Sequence, residues 1–514
     1  MRNFVPMKNE NDTICAVSTA PGVGGIAVIR VSGPQAIAAV DTLWEGKTLA
    51  GTPGQHARFG RILDRTHGGE MLDEAVATVF RAPRSFTGED VVELSVHGSR
   101  YVQRRLLQLL EEAGCRLADA GEFTRRAFAN GKMDLAQAEA VADVITSNSR
   151  AAHRLAASQM KGAFSRRLEE LRDKLLELAS LLELELDFSE EDVEFASRAR
   201  LREIAREVHD EVRRLAESFS AGNAIKEGIP VAIVGPTNAG KSSLLNLLLG
   251  EDRAIVSDIH GTTRDTIEDT LEIGDYTFRF IDTAGLRDTA DPIEALGIQR
   301  SRAAASRAAI TILVLDATSM PAGMGDGVAP GKNTTDGDSV DSAANSKSTD
   351  REPSAEDRET NGEDNALLKS TLEAVTDAPL IVLLNKADLV SDLQAAALPP
   401  AIPLPHRPCA VIPFSTKTRT GHTDLLSTLT AQADLLRGTT DEDTILVTNL
   451  RHAASLRAAA ESTAAILSGL SASLPGDLIA QDLRATIHHL SSITGTLTTP
   501  DILASIFSRF CIGK

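Results

Sequence analysis

Aromatic residues are scarce in this sequence, with one Trp, two Tyr and fifteen Phe among 514 residues. That scarcity argues against a surface built on base stacking. The four cysteines, Cys15, Cys115, Cys409 and Cys511, are scattered and form no CxxC pair, which argues against a disulfide scaffold and a cysteine zinc site. Positive charge is in deficit as well. Acids outnumber bases 72 to 53, a net charge of −19, so no global field draws in nucleic acid. Any RNA has to meet a local patch or arrive with a partner. The longest apolar runs, such as AAITILVL at 308–315, fall far short of the ~18 residues that a membrane helix needs. The start, MRNFVPMKNENDT, lacks an apolar segment and carries an acid, so neither a secretory signal nor a transit peptide is expected. These absences point to a soluble, cytoplasmic protein with no membrane partner. Its length suffices for about three domains.

What is present changes character along the chain. Residues 12–130 mix strand-like runs with glycine turns: GIAVIRVSG (25–33) and VVELSVHGS (91–99) read as strands, and 100–113 reads as a helix. From about 131 to 218 the pattern is helical. There Phe164, Leu168, Leu171, Leu175, Leu178 and Leu182 are spaced 4, 3, 4, 3, 4, one apolar stripe on a long helix. Packing within a bundle and a dimer-forming seam both remain open for that stripe. At 229 a different rhythm begins. IPVAIVG, FRFIDTAG, AAITILVLDA, PLIVLLNKAD and AVIPFS are buried-strand runs separated by helical stretches, as in a mostly parallel sheet. After about 440 helical patterning resumes, with Ile479, Leu483, Ile487 and Leu490 on one face. The simplest architecture is an α/β domain inserted into a helical domain made of two separated halves. Residues 319–365 interrupt the α/β rhythm with 11 acids, 4 bases and no Ile, Leu or aromatic residue. Such a stretch cannot bury enough apolar surface to offset its ordering entropy, so it reads as a disordered acidic insertion.

The insert carries a nucleotide signature. GPTNAGKS (235–242) fits G-x-x-x-x-G-K-[ST], follows an apolar strand and opens a helix. Asn238, Ala239, Gly240, Lys241, Ser242 and Ser243 would thus surround phosphates, with Lys241 on the β/γ oxygens and Ser242 on Mg²⁺. DTAG supplies Asp282, Thr283, Ala284 and Gly285, the first to hold the Mg²⁺ shell and the last to sense the γ-phosphate. NKAD supplies Asn385, Lys386, Ala387 and Asp388, whose final carboxylate accepts two hydrogen bonds from guanine that adenine cannot offer. Ser415, Thr416 and Lys417 follow a further strand, and Thr263 of GTTRD (261–265) completes the signature upstream, with Ser257, Asp258, Ile259, His260, Gly261 and Thr262 before it as further GTP-binding candidates. In this order the motifs predict GTP binding. The residue after DTAG is Leu286, which cannot orient water, so that task falls elsewhere. Asn238 is either a turn residue or an oxygen donor to a monovalent cation beside the phosphates.

At this point the chain resembles the tRNA-modification GTPases of the MnmE/TrmE type. The likeness is carried by 11–33 (NDTICAVSTAPGVGGIAVIRVSG), SFTGEDVVELSVHG (85–98), GEFTRRAFANGKMDLAQAEAVADVI (121–145), the GTPase set and FCIGK (510–514). The resemblance implies a tetrahydrofolate-binding and dimerisation domain over 1–130 and a helical domain over 131–224 and 439–514. Between the halves it implies a Ras-like P-loop G domain over 225–438. It further implies a potassium site at Asn238, Ser257, Ile259 and Thr262, magnesium at Ser242 and Thr263, and water oriented by Glu294. The folate derivative, 5,10-methylene- or 5-formyl-tetrahydrofolate, would meet Arg30, Glu93, Lys132 and Lys514. The implied assembly is a homodimer that joins an FAD-binding partner of the MnmG/GidA type in a heterotetramer on tRNA. FAD is assigned to that partner because no GxGxxG fingerprint occurs here. The implied product is a carboxymethylaminomethyl or aminomethyl group at C5 of the wobble uridine, U34, with GTP hydrolysis driving conformational change.

The residues themselves support part of this. Glu93 shares a strand face with Ser95 and His97, a polar environment. Arg30 shares parity with Ile26 and Val28, an odd place for a permanent charge unless it pairs or binds an anion. An ordinary salt bridge is the competing reading. Cys511 is either a small buried hydrophobe or a thiolate activated by Lys514. Two rivals come from other classes: a ribosome-assembly switch GTPase that binds RNA without modifying it, and a one-carbon transferase whose G domain only regulates.

Overall fold

A computed structural model describes residues 12–187, 198–251, 269–281, 302–319, 369, 371–375, 378–390, 404–438, 445–472, 474–497, 500–508, 510 and 513. The chain divides into two compact units, one of Met1–Ser147, His153–Phe219 and Ile445–Lys514, the other of Asn148–Ala152 and Ser220–Thr444.

The first unit opens with β1 (Ile14–Val17), β2 (Gly24–Ser32), α1 (Ala36–Asp41), β3 (Trp44–Glu45), β4 (His56–Asp64), β5 (Glu70–Phe80), β6 (Val91–Gly98), α2 (Arg100–Glu112), β7 (Arg116–Leu117) and α3 (Glu122–Ala129). The strands form one sheet in the order β3-β4-β5-β6-β2-β1-β7, antiparallel except for the β1–β7 pair. Period-two alternation decides its faces. Ala27, Ile29 and Val31 of β2 and Val92, Leu94 and Val96 of β6 are buried in one core with residues of α1 and α2. The other face is exposed at Ile26 (69%) and carries a second small core of Ile14, Ala16 and Phe123 towards β1. Arg30 lies on that second face, half-buried. Its parity with Ile26 and Val28 therefore places it beside the core, not in it, which removes the oddity expected from the sequence.

Five helices follow: α4 (Leu135–Thr146), α5 (Arg150–Met160), α6 (Ala163–Asp187), α7 (Arg198–Glu217) and α8 (Phe219–Glu227). α4 starts at a capping box in which Asp134 and Gln137 satisfy each other's backbone N–H. The second unit then forms β8 (Ile229–Val234), α9 (Lys241–Glu251), β9 (Asp269–Ile273), β10 (Tyr276–Phe280), β11 (Ile310–Asp316), β12 (Leu380–Asn385), β13 (Ala410–Pro413) and α10 (His422–Arg437). Its sheet runs β13-β12-β11-β8-β10-β9 and is parallel except for the β9–β10 hairpin. All six residues of β12 are buried, as expected of a strand covered on both faces. The acidic insertion beyond Ser319 lies outside the described residues.

The first unit resumes with α11 (Leu450–Ser471), α12 (Gly476–Thr494) and α13 (Pro500–Phe507). Phe164, Leu168, Leu171, Leu175, Leu178 and Leu182 of α6 are each at most 2% exposed. They share one core with Leu201, Val208 and Val212 of α7, Leu456 and Ile466 of α11, and Ile479, Leu483 and Leu490 of α12. The stripe is thus covered by its own chain, and the bundle reading holds over the dimer seam. Ile487 packs at the edge of the same core.

Candidate functional site

The phosphate loop, NKAD and the Ser415 loop follow the carboxyl ends of β8, β12 and β13, where open α/β sheets hold ligands. β8 passes into its loop at Gly235, with φ +151°, where a Cβ would run into the Val314 carbonyl of β11. Asn238 adopts the left-handed φ of 60°, so the turn role weighed for it is real. Its exposed carboxamide makes no hydrogen bond among the described residues. Gly240, φ +97°, leaves no room for a Cβ against the Asn385 amide. The Lys241 ammonium donates to the carbonyls of Gly235 (2.8 Å) and Pro236 (2.7 Å), bridging the mouth of the loop. Ser242 follows at the start of α9 and Ser243 is exposed.

Asn385 joins three motifs. It is 2% exposed. Its Nδ2 donates to the Ala239 carbonyl (2.8 Å) and its Oδ1 accepts from the Thr416 N–H (3.4 Å). Lys386, at φ 61°, places its ammonium 2.5 Å from Asp316 Oδ2 at the end of β11. Burial pushes the Asp316 carboxyl up, but Lys386 and Thr318 outweigh it and hold it below the usual range. Asp388 is exposed and accepts the Ser415 hydroxyl on Oδ1 at 2.7 Å. Its Oδ2 has no partner among the described residues and can accept a hydrogen bond. Ala387 is bonded to the Phe414 carbonyl, and Lys417 is exposed. The phosphate loop, NKAD and the Ser415 loop therefore converge. Ser257, Asp258, Ile259, His260, Gly261, Thr262, Thr263, Asp282, Thr283, Ala284, Gly285 and Glu294 lie outside the described residues.

Among the described residues no group of three His, Cys, Asp or Glu is arranged for a metal. A phosphate-bound Mg²⁺ needs only one or two protein oxygens, and Ser242 is a hydroxyl of that kind. The Asn238 carboxamide oxygen suits a hard monovalent cation.

A further convergence lies on the second sheet face of the first unit. Arg30 and Glu93 are register partners across β2 and β6. Nε and Nη2 of Arg30 both reach Glu93 Oε1, at 2.9 and 2.8 Å. The guanidinium carbon lies over the Phe86 ring at 5.1 Å and the Phe123 ring at 5.6 Å. Lys132 donates to the Pro83 carbonyl at 3.0 Å, on the loop that carries Phe86. The chain's last turn arrives at the same place. The Gly513 carbonyl accepts from Ser18 Oγ at 3.0 Å, and a Cβ on Gly513 would strike the Val17 carbonyl. Val17 pairs with Ile29, beside Arg30. Phe510 packs near Gly121, next to Phe123 on α3. Cys511 and Lys514 lie outside the described residues.

The site is braced by a buried charge cluster. Arg126 pairs with Asp12 (2.5 Å), Glu89 (3.0 Å) and Glu122 (3.2 Å). Arg116 pairs with Asp12 (2.6 Å) and Glu122 (2.7 Å). Burial pushes the Asp12 and Glu122 carboxyls up, but the two arginines overcome it and hold both below their ordinary values.

Comparison with known proteins decides the family. The family model of the MnmE helical domain matches residues 135–511, and that of the GTP-binding protein TrmE N-terminus matches 13–132. The tRNA modification GTPase MnmE of Parabacteroides distasonis is 47% identical over 507 residues, covering 98% of this chain and 100% of that protein. Its counterpart in Bacteroides thetaiotaomicron is 45% identical over 508 residues, covering 98% and 99%. That of Christiangramia forsetii is 42% identical over 510 residues, with the same coverage. The chain belongs to the MnmE family of tRNA modification GTPases.

Its layout is the family's, with an N-terminal α/β domain, a helical domain and a P-loop G domain with a mostly parallel sheet. Three features of this MnmE chain were not foreseen from sequence. Asp316 as the partner of Lys386 had only its strand-end position as a signal. Phe86 and Phe123 stand inside the SFTGED and GEFTRRAF motifs, yet nothing in the sequence ties either ring to Arg30. Glu89, Glu122 and Arg126 occupy the same two motifs, where their alternating charges were the available hint.

Proposed function

We propose that this chain is a potassium-dependent GTPase that works with an FAD-binding partner of the MnmG/GidA type on tRNA. Together they install a carboxymethylaminomethyl or aminomethyl group at C5 of the wobble uridine of certain tRNAs. The single observation that carries the reading is the packing of Gly513 against Val17, one strand from Arg30. Gly513 belongs to CIGK, and its packing supports a role for that tail near the Arg30–Glu93 pair. The proposed domains are 1–130 for folate binding and dimerisation, 131–224 and 439–514 for the helical domain, and 225–438 for the G domain, in a cytoplasmic homodimer that enters a heterotetramer.

Each group then has a task. The backbone N–H groups of 238–243 and the Lys241 ammonium bind the phosphates, which requires Lys241 to leave the loop carbonyls it bridges. Asp388 reads guanine through its two carboxylate oxygens, and Asn385 holds that loop against the phosphate loop. Ser242 and Thr263 would hold magnesium, which neutralises phosphate charge when bound. Asn238, Ser257, Ile259 and Thr262 would hold potassium, whose charge does the work of an arginine finger. Glu294 orients the attacking water. In the first unit Arg30, Glu93, Lys132 and Lys514 bind the tetrahydrofolate derivative, which supplies the one-carbon unit. Cys511 is the proposed catalytic residue of the tail. Hydrolysis acts through conformational change and not through the bond chemistry.

The test is mass spectrometry of wobble nucleosides in tRNA from cells lacking this protein, complemented with wild type or Cys511→Ser. Loss of the 5-substituent, restored by wild type alone, is the expected result. Unchanged tRNA in the deletion strain would replace this reading with the ribosome-assembly switch.

A further inference from the structure

Arg30 is constrained beyond its salt bridge. Nε and Nη2 are spent on one oxygen of Glu93, and the guanidinium lies over two phenyl rings. Guanidinium faces are weakly hydrated and stack readily on aromatic rings. The N–H groups of Arg30 Nη1, the second N–H of Nη2 and one acceptor, Glu93 Oε2, remain open, none with a hydrogen-bond partner among the described residues. A fixed donor next to a fixed acceptor suits a flat heterocycle that presents a carbonyl beside an N–H, as a pterin does.

The rings are fixed from behind by different means. Phe123 is fully buried with Ile14, Ala16 and Ala118, and Phe86 packs at the edge of that cluster. Phe86 belongs to a loop whose conformation depends on Glu89. Arg126 Nη1 bonds both Glu89 oxygens, at 3.0 and 3.3 Å. The Ser32 hydroxyl donates to Glu89 Oε2 at 2.6 Å. Arg126 belongs to α3, the helix that carries Phe123, so one arginine clasps both ring-bearing segments together.

We propose that Phe86 and Phe123 are recognition determinants of the folate site, acting by fixing the plane of Arg30, and that the Arg126–Glu89 clasp is the positioning device that keeps Phe86 in place. The proposal rests on the folate reading given above. It assigns a role to the conspicuous motifs SFTGED and GEFTRRAF, which the GTPase cycle leaves unused.

Titration calorimetry of the full-length chain with 5-formyltetrahydrofolate tests it. Phe86→Leu keeps apolar bulk and removes the ring; it is expected to raise Kd about tenfold, while Phe86→Tyr stays within about twofold of wild type. Glu89→Gln is expected to weaken binding and to add little on top of Phe86→Leu, because both act through one ring. Leucine binding as tightly as wild type overturns the proposal, and so do equal losses for leucine and tyrosine. Should Phe86→Leu fail to fold, Glu89→Gln decides alone, and wild-type affinity in that variant overturns the clasp. A wild-type chain that binds no folate sinks the folate reading itself, an outcome distinct from any difference among the variants.

Discussion

Glu139 is the sharpest point at which to test the energetics of the helical domain. It projects from α4, 8% exposed, and accepts Arg451 Nε at 3.1 Å, Arg451 Nη2 at 2.9 Å and His452 Nε2 at 2.6 Å. Arg451 also bonds the carbonyls of Ser492 (2.7 Å) and Ile493 (3.0 Å), so α4, α11 and α12 meet at one carboxylate. Burial pushes its pKa up, yet His452 and Arg451 prevail and bring it from the ordinary 4.5 to about 2. A carboxyl lowered by that much contributes about 3 kcal/mol to stability. Because the folded value is depressed, the contribution is fully present above pH 4.5 and fades as pH falls from there through about 2. Glu139→Gln removes the charge, keeps the shape and leaves Arg451 and His452 facing a neutral amide. Breaking one side of a buried pair costs about 3 kcal/mol or more. Urea unfolding of full-length wild type and Glu139→Gln, followed by helical circular dichroism, should differ by about that amount at pH 7. The gap should narrow between pH 5 and pH 3. A gap under about 1 kcal/mol at pH 7, or one that does not change with acidification, would refute the argument.

Other consequences are equally direct. Asn385→Ala orphans the Ala239 carbonyl and the Thr416 N–H, at about 1–3 kcal/mol for each buried group. GTP affinity, read with a fluorescent analogue, should fall at least about tenfold, and unchanged affinity would dismiss the three-motif tie. GTP hydrolysis should be much faster in KCl than in NaCl, and Asn238→Ala should erase the difference; equal rates in the two salts would remove the cation from Asn238. The exposed His97 hydrogen-bonds Asp73 through Nδ1 at 2.7 Å, and that bond with the Asp73 charge raises its pKa above 6.5. Its stabilising contribution is complete below pH 6.5 and lost as pH climbs through the raised value. Titration by NMR should show the ordinary value restored in Asp73→Asn, and no movement would deny the pairing.

Much of the fold was legible because it rests on local repetition. The 4, 3, 4, 3, 4 spacing in α6 and the unbroken apolar runs of β11 and β12 each encode their element within a few residues. The GTP loops were legible for a similar reason: GPTNAGKS and NKAD bring their own backbone requirements, such as the left-handed Asn238 and Lys386. Pattern alone did not say which face of a sheet a helix covers. Val28 and Arg30 alternate with Ile29 and Val31 whichever side is closed, so the cover that Phe86 and Phe123 give Arg30 had to be observed. Nor did spacing reveal what covers the α6 stripe, since a bundle neighbour and a second chain need the same leucines. The charge cluster was least legible of all. Arg126 reaches back to Asp12, 114 positions away, and no periodicity records a pairing of that span.

Gly513 gives the molecule a schedule. Its carbonyl takes the hydroxyl of Ser18, a contact spanning 495 positions. A ribosome releases β1 and its partners β2 and β7 long before it reaches the codon of Gly513, so Ser18 waits for this bond while the helices and the G domain emerge. Contacts of such span close late, after the chain between them has folded. A chain cut short between residues 438 and 513 would still hold the phosphate loop and NKAD, yet lack the bond from Ser18. Such a product would carry the nucleotide motifs without the closing contact of the first unit.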